Sequence, residues 1–322
     1  MVGGPGAPEV LKVQGDVPSP EPRANEVLID VAAAGVNRAD ILQRQGLYPP
    51  PPGESSIIGL ECSGTIAAAP PDSGLAPGDP VCALLSGGGY AEQVAVPVGQ
   101  VMSVPTGIDL VTAAALPEVA STVYSNLAMV AGLQPGEWLA VHGGGSGIGT
   151  FAIQWARAVG ARVAVTVGSE AKAERCRELG AEIVINYRER DFVAELRAGT
   201  ASKGADVILD IIGAKYLERN IKALAVDGRL IVIGLQGGVK GEMNLATLLS
   251  KRATVTATSL RGRPAIQKAG ICAEVVANVW PLVETGRIKP VIDRVLPLAD
   301  VAEAHRLLEA SDHFGKILLQ VR

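Results

Sequence analysis

Trp138-Leu139-Ala140-Val141-His142-Gly143-Gly144-Gly145-Ser146-Gly147-Ile148-Gly149-Thr150-Phe151-Ala152-Ile153-Gln154-Trp155-Ala156 sets the architecture of the chain. Residues of strand propensity, Trp138 to Val141, run into a glycine-rich turn, and beyond it Ile148, Ala152, Ile153, Ala156 and Val159 recur at helical spacing. A strand, a tight turn and a helix start together offer backbone N–H groups and a positive helix end to a diphosphate. Gly144, Ser146 and Gly149 stand at the three positions of a G-x-G-x-x-G pattern, with serine at the second. Gly147 between them admits close approach of a ligand. Glycine-rich turns are common in α/β chains. This one reads as a dinucleotide cradle, made by Gly144, Ser146, Gly147, Ile148 and Gly149, because strand and helix flank it as the mechanism requires.

Downstream the alternation continues. Strands are expected at Trp138–Val141, Arg162–Val167, Ile183–Ile185, Val207–Leu209, Leu230–Ile233 and Val255–Thr258, with helices at Gly147–Val159, Glu170–Leu179, Phe192–Ala198 and Tyr216–Leu224. Several of these strands are continuously apolar, as parallel strands covered on both faces are. The pattern predicts an α/β, doubly wound parallel sheet. A helical stretch around Ile271–Thr285, a strand Arg294–Pro297, a helix Ala299–Ala310 and a strand Lys316–Val321 close the chain.

Upstream, residues 1–116 are β-rich and irregular, with strands at Glu26–Ala32, Gly59–Ala68, Pro80–Leu84 and Ala91–Val96. Between the first two lies Gln45-Gly46-Leu47-Tyr48 followed by Pro49 to Pro52, a run that can be neither helix nor central strand. It forms a rigid loop that fixes the direction of Tyr48.

At 322 residues the chain has room for two domains, each with a sizeable core. Its net charge of −4 leaves no basic excess for a nucleic-acid or anionic-membrane surface. No uninterrupted apolar run approaches the ~18 residues of a membrane span, and the first residues do not have the pattern of a signal peptide. Cys62, Cys82, Cys176 and Cys272 are far apart and read as reduced, buried residues of a cytoplasmic protein. His142, His305 and His313 are too dispersed for a local metal site.

The end of the second sheet strand selects the dinucleotide. An NAD site usually has Asp or Glu there, on the ribose 2′-OH. Here the strand runs out as Thr166-Val167-Gly168-Ser169-Glu170-Ala171-Lys172, with Gly168 and Ser169 at the acidic position and Lys172 one helical turn on. A small polar residue with a cation suits a 2′-phosphate, and Tyr187, just past the third strand, offers a hydroxyl to the same group. The expected cofactor is therefore NADPH. Gly234, Leu235 and Gln236 after the fifth strand, and Ser259 and Leu260 after the sixth, lie at carboxyl ends where backbone groups can hold the nicotinamide.

The sequence resembles the medium-chain dehydrogenases/reductases, and within them the zinc-free quinone oxidoreductases of the p53-inducible type. The resemblance spans nearly the whole chain. It rests on Ala34-Gly35-Val36-Asn37-Arg38-Ala39-Asp40, Gln43 to Gly53, Gly59-Leu60-Glu61, Ser146 to Gly149, Asn186-Tyr187-Arg188 and Asp227-Gly228-Arg229. It implies a GroES-like catalytic domain, residues 1–118 with 261–322, and a Rossmann NADPH-binding domain, residues 119–260. Zinc-dependent relatives have Cys where Asn37 stands and His where Leu60 stands, and the four-cysteine structural lobe is missing, so no metal is expected. By the same resemblance most of the family's first strand is absent, and either an altered domain edge or a misplaced start site is expected. A short-chain dehydrogenase fits less well: the turn lies mid-chain, and no tyrosine has a lysine four residues on.

The lost zinc ligands bear on the reaction. Oxidising an alcohol needs a Lewis acid for the alkoxide. A quinone is already a strong hydride acceptor, so the protein need only orient it and donate hydrogen bonds where charge develops. Asn37, as an amide donor, and Tyr48, as a phenol held by the proline loop, are the candidate catalytic residues; the plainer reading has Asn37 capping a helix and Tyr48 packing on the cofactor. The expected function is metal-free NADPH-dependent reduction of a small-molecule quinone, by a homodimer extended across the sheet edge. An enoyl-thioester reductase and an NADPH-binding protein with little turnover are the alternatives.

Overall fold

β1 (Glu26–Val36) is central to the first of two sheets in the computed structural model, which describes residues 4–322. It buries Val27, Ile29 and Val31 by strict alternation, then becomes buried on both faces from Ala33 to Val36. In chain order there follow α1 (Arg38–Arg44), β2 (Glu61–Ala68), β3 (Pro80–Leu84), β4 (Gln93–Pro97), β5 (Val101–Ser103), α2 (Leu110–Ala113) and α3 (Pro117–Tyr124). The middle of the chain forms β6 (Trp138–His142), α4 (Gly147–Ala158), β7 (Arg162–Val167), α5 (Glu170–Leu179), β8 (Ile183–Asn186), α6 (Phe192–Gly199) and β9 (Ala205–Asp210). It continues through α7 (Leu217–Ala223), β10 (Leu224–Val232), α8 (Leu245–Ser250) and β11 (Thr254–Ala257). The C-terminal stretch adds α9 (Ala265–Asn278), α10 (Trp280–Glu284), β12 (Ile292–Pro297), α11 (Val301–Ala310) and β13 (Lys316–Gln320).

Two compact units result. The first takes the chain through Ser121, then Leu260–Gly286 and Pro290–Arg322; the second takes Thr122–Ser259 and Arg287–Lys289. In the first unit the strands run β12-β13-β1-β2-β3-β5, with β4 also paired to β1, and every pair except β12 with β13 is antiparallel. β13 thus brings the end of the chain back against β1, aligning Val36 with Ile317.

The second unit is an all-parallel sheet in the order β11-β10-β9-β6-β7-β8. Counted from β6 this is 6-5-4-1-2-3, the doubly wound order in which ligands bind at the carboxyl ends where the winding reverses, between β6 and β9. β6 is buried along its whole length and β7 along all but its first residue, because helices cover both faces.

The structure departs from the sequence expectations at a few boundaries. α2, α3 and the π-helical turn Ser125–Val130 occupy a stretch for which no helix is predicted. Its residues from Ala113 to Ala120 are small and apolar, apart from Leu116, Pro117 and Glu118, so they give no amphipathic period to read. The helix expected over Ile271–Thr285 begins earlier, at Ala265, and breaks at Val279, where Pro281 starts a second helix without needing a donor. Leu224, read as the end of a helix, instead opens β10. That strand makes an irregular step between Leu224 and Arg229, with Asp227 at φ 62°.

Candidate active site

In the second unit the predicted cradle lies where β6 meets α4. Gly143 takes φ 78°, and the N–H groups of Gly143 and Gly144 donate to the Thr166 carbonyl of β7 at 3.1 and 2.9 Å. Ser146 is the N-cap of α4: its hydroxyl donates to the Gly143 carbonyl at 2.7 Å and accepts from the Gly149 N–H at 3.0 Å. Serine at the second pattern position therefore braces the turn. A Cβ on Gly149 would lie 2.3 Å from the Gly143 carbonyl oxygen, so only glycine lets helix and turn pack this closely. Gly147 and Ile148 form the half-buried first turn of this 12-residue helix, at its positive end.

Gly168 and Ser169 follow β7, and Ser169 caps α5 by accepting from the Lys172 N–H at 3.4 Å. The Tyr187 hydroxyl lies directly over Gly168, 2.9 Å from where a Cβ would be, and the ring is 45% exposed. Small residue, serine, lysine and phenol thus meet at the carboxyl edge of β7 and β8, beside the cradle. Gly234, Leu235 and Gln236 follow β10 in a loop strapped to the end of β9: the Gln236 N–H donates to the Ile211 carbonyl at 3.2 Å and the Gly237 N–H to Ile212 at 2.6 Å. Asp210, which sequence reading passed over, organises that loop from beneath by accepting from the N–H groups of Ile212 (2.7 Å) and Gly213 (3.0 Å). Burial pushes its carboxyl up to about 6. Ser259 follows β11 and is exposed, whereas Leu260 is buried and belongs to the first unit. His142, close to the cradle, is a core residue. Its ring nitrogens meet Thr166 and Asn220, and burial lowers it to about 4, so it is uncharged at neutral pH.

In the first unit Asn37 directly follows β1 and is the N-cap of α1. Its backbone N–H donates to the Asp40 carboxylate at 2.7 Å, while its side chain turns inward. Nδ2 donates to Glu61 Oε1 at 2.8 Å and Oδ1 accepts from Lys316 Nζ at 2.8 Å. Both ends of the amide are engaged. Lys316 Nζ completes the triangle at 2.5 Å from Glu61 Oε1, and the Glu118 N–H donates to Glu61 Oε2 at 2.9 Å. β1, β2, β13 and α3 each supply one corner of this cluster. Gly35 makes room for it, since a Cβ there would lie 2.2 Å from Glu61 Oε1. Asp40 Oδ2 also accepts from the Tyr90 hydroxyl at 3.0 Å, and burial pushes the Asp40 carboxyl up to about 7. The signal for Lys316 was an ionisable residue opening the fully buried strand Ile317-Leu318-Leu319.

Tyr48, before the proline run, is half-buried. Arg261, itself buried, donates to the Tyr48 carbonyl at 3.1 Å, to Gln43 Oε1 at 2.7 Å and to the Ser86 carbonyl at 2.8 Å. Its guanidinium carbon is 5.2 Å from the centre of the Tyr48 ring. The proline loop is thus held by a cation from the far end of the sequence as well as by its own stiffness. Among the described residues no group of three or more His, Cys, Asp or Glu side chains is arranged to hold a metal ion.

The "Alcohol dehydrogenase GroES-like domain" family profile matches residues 23–106, and the "Zinc-binding dehydrogenase" profile matches residues 147–273. The chain is 32% identical over 317 residues to a quinone oxidoreductase of Rattus norvegicus, covering 98% of this chain and 94% of that one. It is similar to the structure of the Escherichia coli quinone oxidoreductase complexed with NADPH (TM-score 0.89, 31% identity, 99% and 98% of the two chains). It is also similar to an NAD-dependent alcohol dehydrogenase (TM-score 0.87, 34% identity, 99% and 98%). CurK enoyl reductase matches as well (TM-score 0.87, 28% identity, 100% and 98%). With both halves of the fold matched and a full-length relative at this identity, the chain belongs to the quinone oxidoreductases of the medium-chain dehydrogenase/reductase superfamily.

Proposed function

We propose that this protein is an NADPH-dependent quinone reductase that works without a metal. The Asn37–Glu61–Lys316 cluster carries the reading. An ammonium 2.5 Å from Glu61 Oε1 and 2.8 Å from Asn37 Oδ1 occupies the donor atoms around it and repels a divalent cation. The site is left with an acceptor that needs little activation, such as a quinone. The NADPH-containing Escherichia coli structure and the quinone oxidoreductase relatives support the same reading.

The cradle without room for a Cβ at Gly149 fits a diphosphate held by Gly144, Ser146, Gly147, Ile148 and Gly149. Gly168, Ser169, Lys172 and Tyr187 suit the 2′-phosphate; Gly234, Leu235, Gln236, Ser259 and Leu260 are assigned to the nicotinamide. These residues would hold NADPH, whose chemistry there would be to supply a hydride. Tyr48 orients the acceptor and donates a hydrogen bond to the oxygen where charge develops. Asn37, with its amide engaged on both sides, fixes the wall of the site.

A second reading, reduction of a conjugated C=C in an enoyl thioester, is favoured by the likeness to CurK enoyl reductase over the whole chain. Initial rates with NADPH and with NADH against small quinones, enoyl thioesters and simple alcohols decide between them. Quinone turnover with NADPH, and none of alcohols, is the expected result. A large preference for enoyl thioesters overturns the quinone assignment, and binding without turnover of any acceptor overturns the enzymatic one. The protein is also proposed to form a homodimer through β11, one of the two edges of its sheet, beside exposed Leu245 and Leu249.

A further inference from the structure

Hydride reduction of a quinone or of a conjugated alkene consumes a proton as well as a hydride, and the Asn37–Glu61–Lys316 cluster includes one more carboxyl. Glu118 stands in the first turn of α3, its backbone N–H tied to Glu61 Oε2 at 2.9 Å. Glu61, Asp40 and Lys316 are buried, but Glu118 is partly open to solvent. Its acidic neighbours are committed to the cluster: Asp40 accepts from the Asn37 N–H and the Tyr90 hydroxyl, and Glu61 from Asn37 Nδ2, Lys316 Nζ and the Glu118 N–H.

Resting on the reductase reading above, we propose that Glu118 is the general acid of the reaction, delivering to the acceptor the proton that accompanies the hydride. The O–H bond of Glu118 breaks as a new bond forms between that proton and the acceptor atom carrying the electron pair left by reduction. The carboxylate then regains a proton from solvent, and no electrons change hands at Glu118. The two-electron donor is the reduced nicotinamide of the proposed function.

The groups facing Glu118 make it suited to this work. Desolvation and the Glu61 carboxylate push it up, Asp40 adds to this, and Lys316 on β13 and Arg261 after β11 act against it. Lys268 and Cys272 on α9 also feel its charge. The balance leaves the carboxyl at about 8, so it is mostly protonated at neutral pH yet easily ionised.

The test is kcat/KM for quinone between pH 6 and 9.5, for the unaltered protein and for Glu118→Gln, with an enone acceptor run alongside. The unaltered protein should lose activity as pH rises through about 8. Glu118→Gln should lose roughly a hundredfold at pH 7 and no longer show that fall, while NADPH affinity measured by fluorescence stays within about twofold. Glu118→Asp should keep the pH dependence, and in Glu118→Ala, which also serves if the glutamine variant does not fold, formate should restore part of the rate. A Glu118→Gln enzyme of near-normal activity, or one with the same alkaline fall, overturns the assignment. If the enone is turned over and the quinone is not, the quinone reading fails while the pH profile on the enone still judges Glu118. If neither is reduced, both fall.

Discussion

Lys316 and Glu61 form an ion pair closed off from solvent, with Nζ 2.5 Å from Oε1 and side chains only 5% and 0% exposed. Two charges moved out of water are costly, and this pair is held by further partners: Asn37 bonds both ions, and the Glu118 N–H takes the second carboxylate oxygen.

Removing one partner leaves the other ion buried and unmatched. Lys316→Met should therefore destabilise the fold by about 3–5 kcal/mol in urea titration. Adding Glu61→Gln, which neutralises the stranded carboxylate, should recover part of that loss. Equal stability of Lys316→Met and the unaltered protein would show that the pair is not closed off in solution.

Lys172 tests the choice of cofactor. Lys172→Ala should raise KM for NADPH roughly tenfold or more, the loss of a charge-assisted phosphate contact of ~1.5–3 kcal/mol, and leave NADH nearly unchanged. Equal use of both dinucleotides by the unaltered protein would refute the assignment of Gly168, Ser169, Lys172 and Tyr187.

Tyr48→Phe keeps the ring against Arg261 and removes only the hydroxyl. In a largely dry site that should cost ~1–3 kcal/mol, lowering kcat/KM for quinone roughly five- to a hundredfold. NADPH affinity should hold. Full activity in the variant would make Tyr48 a packing residue.

Activity should survive prolonged dialysis against a chelator, and metal analysis should find no stoichiometric zinc. One zinc per chain whose removal abolishes turnover would contradict the reading of Asn37, Leu60 and Lys316.

Asp40 carries a pH signature in stability. Its folded carboxyl sits at about 7, above the ~4 of an exposed aspartate, so between these values the native state holds a proton that the unfolded chain has lost. Its contribution is full below pH 4 and falls as pH rises toward 7, by at most about 1.4 kcal/mol per pH unit. Asp40→Asn cannot ionise, so its stability relative to the unaltered protein should improve from pH 4.5 to 7.5. A constant difference over that range would contradict the shift.

Much of the fold was legible because its signals are local. The run from Trp138 to Ala156 holds strand, turn, cap and helix within one short window, and the alternation after it continues in the same terms. Tyr187 over Gly168 was legible for a different reason: parallel strands bring their carboxyl ends to one edge, so β7 and β8 had to deliver those residues together. What escaped was made by distance. Nothing near Glu61 announces Lys316, 255 residues away, and nothing near Tyr48 announces Arg261, 213 residues away. Asn37 read as an open amide donor because its two partners come from other strands. Glu118 was hidden by the apolar stretch around it, which carries no period.

The return of β13 to β1 has a consequence for how the protein is made. All six strands of the parallel sheet emerge from the ribosome by Ala257, so the middle unit can assemble while the rest of the chain is still being translated. The first unit must wait. Until β13 is free, β1 is bare along the Ala33–Val36 edge that β13 will pair, and the carboxylate of Glu61 lacks its cation. A ribosome stalled shortly before Lys316 would hold a finished nucleotide-type domain attached to an unfinished sheet, and quality-control proteases would meet that sheet first.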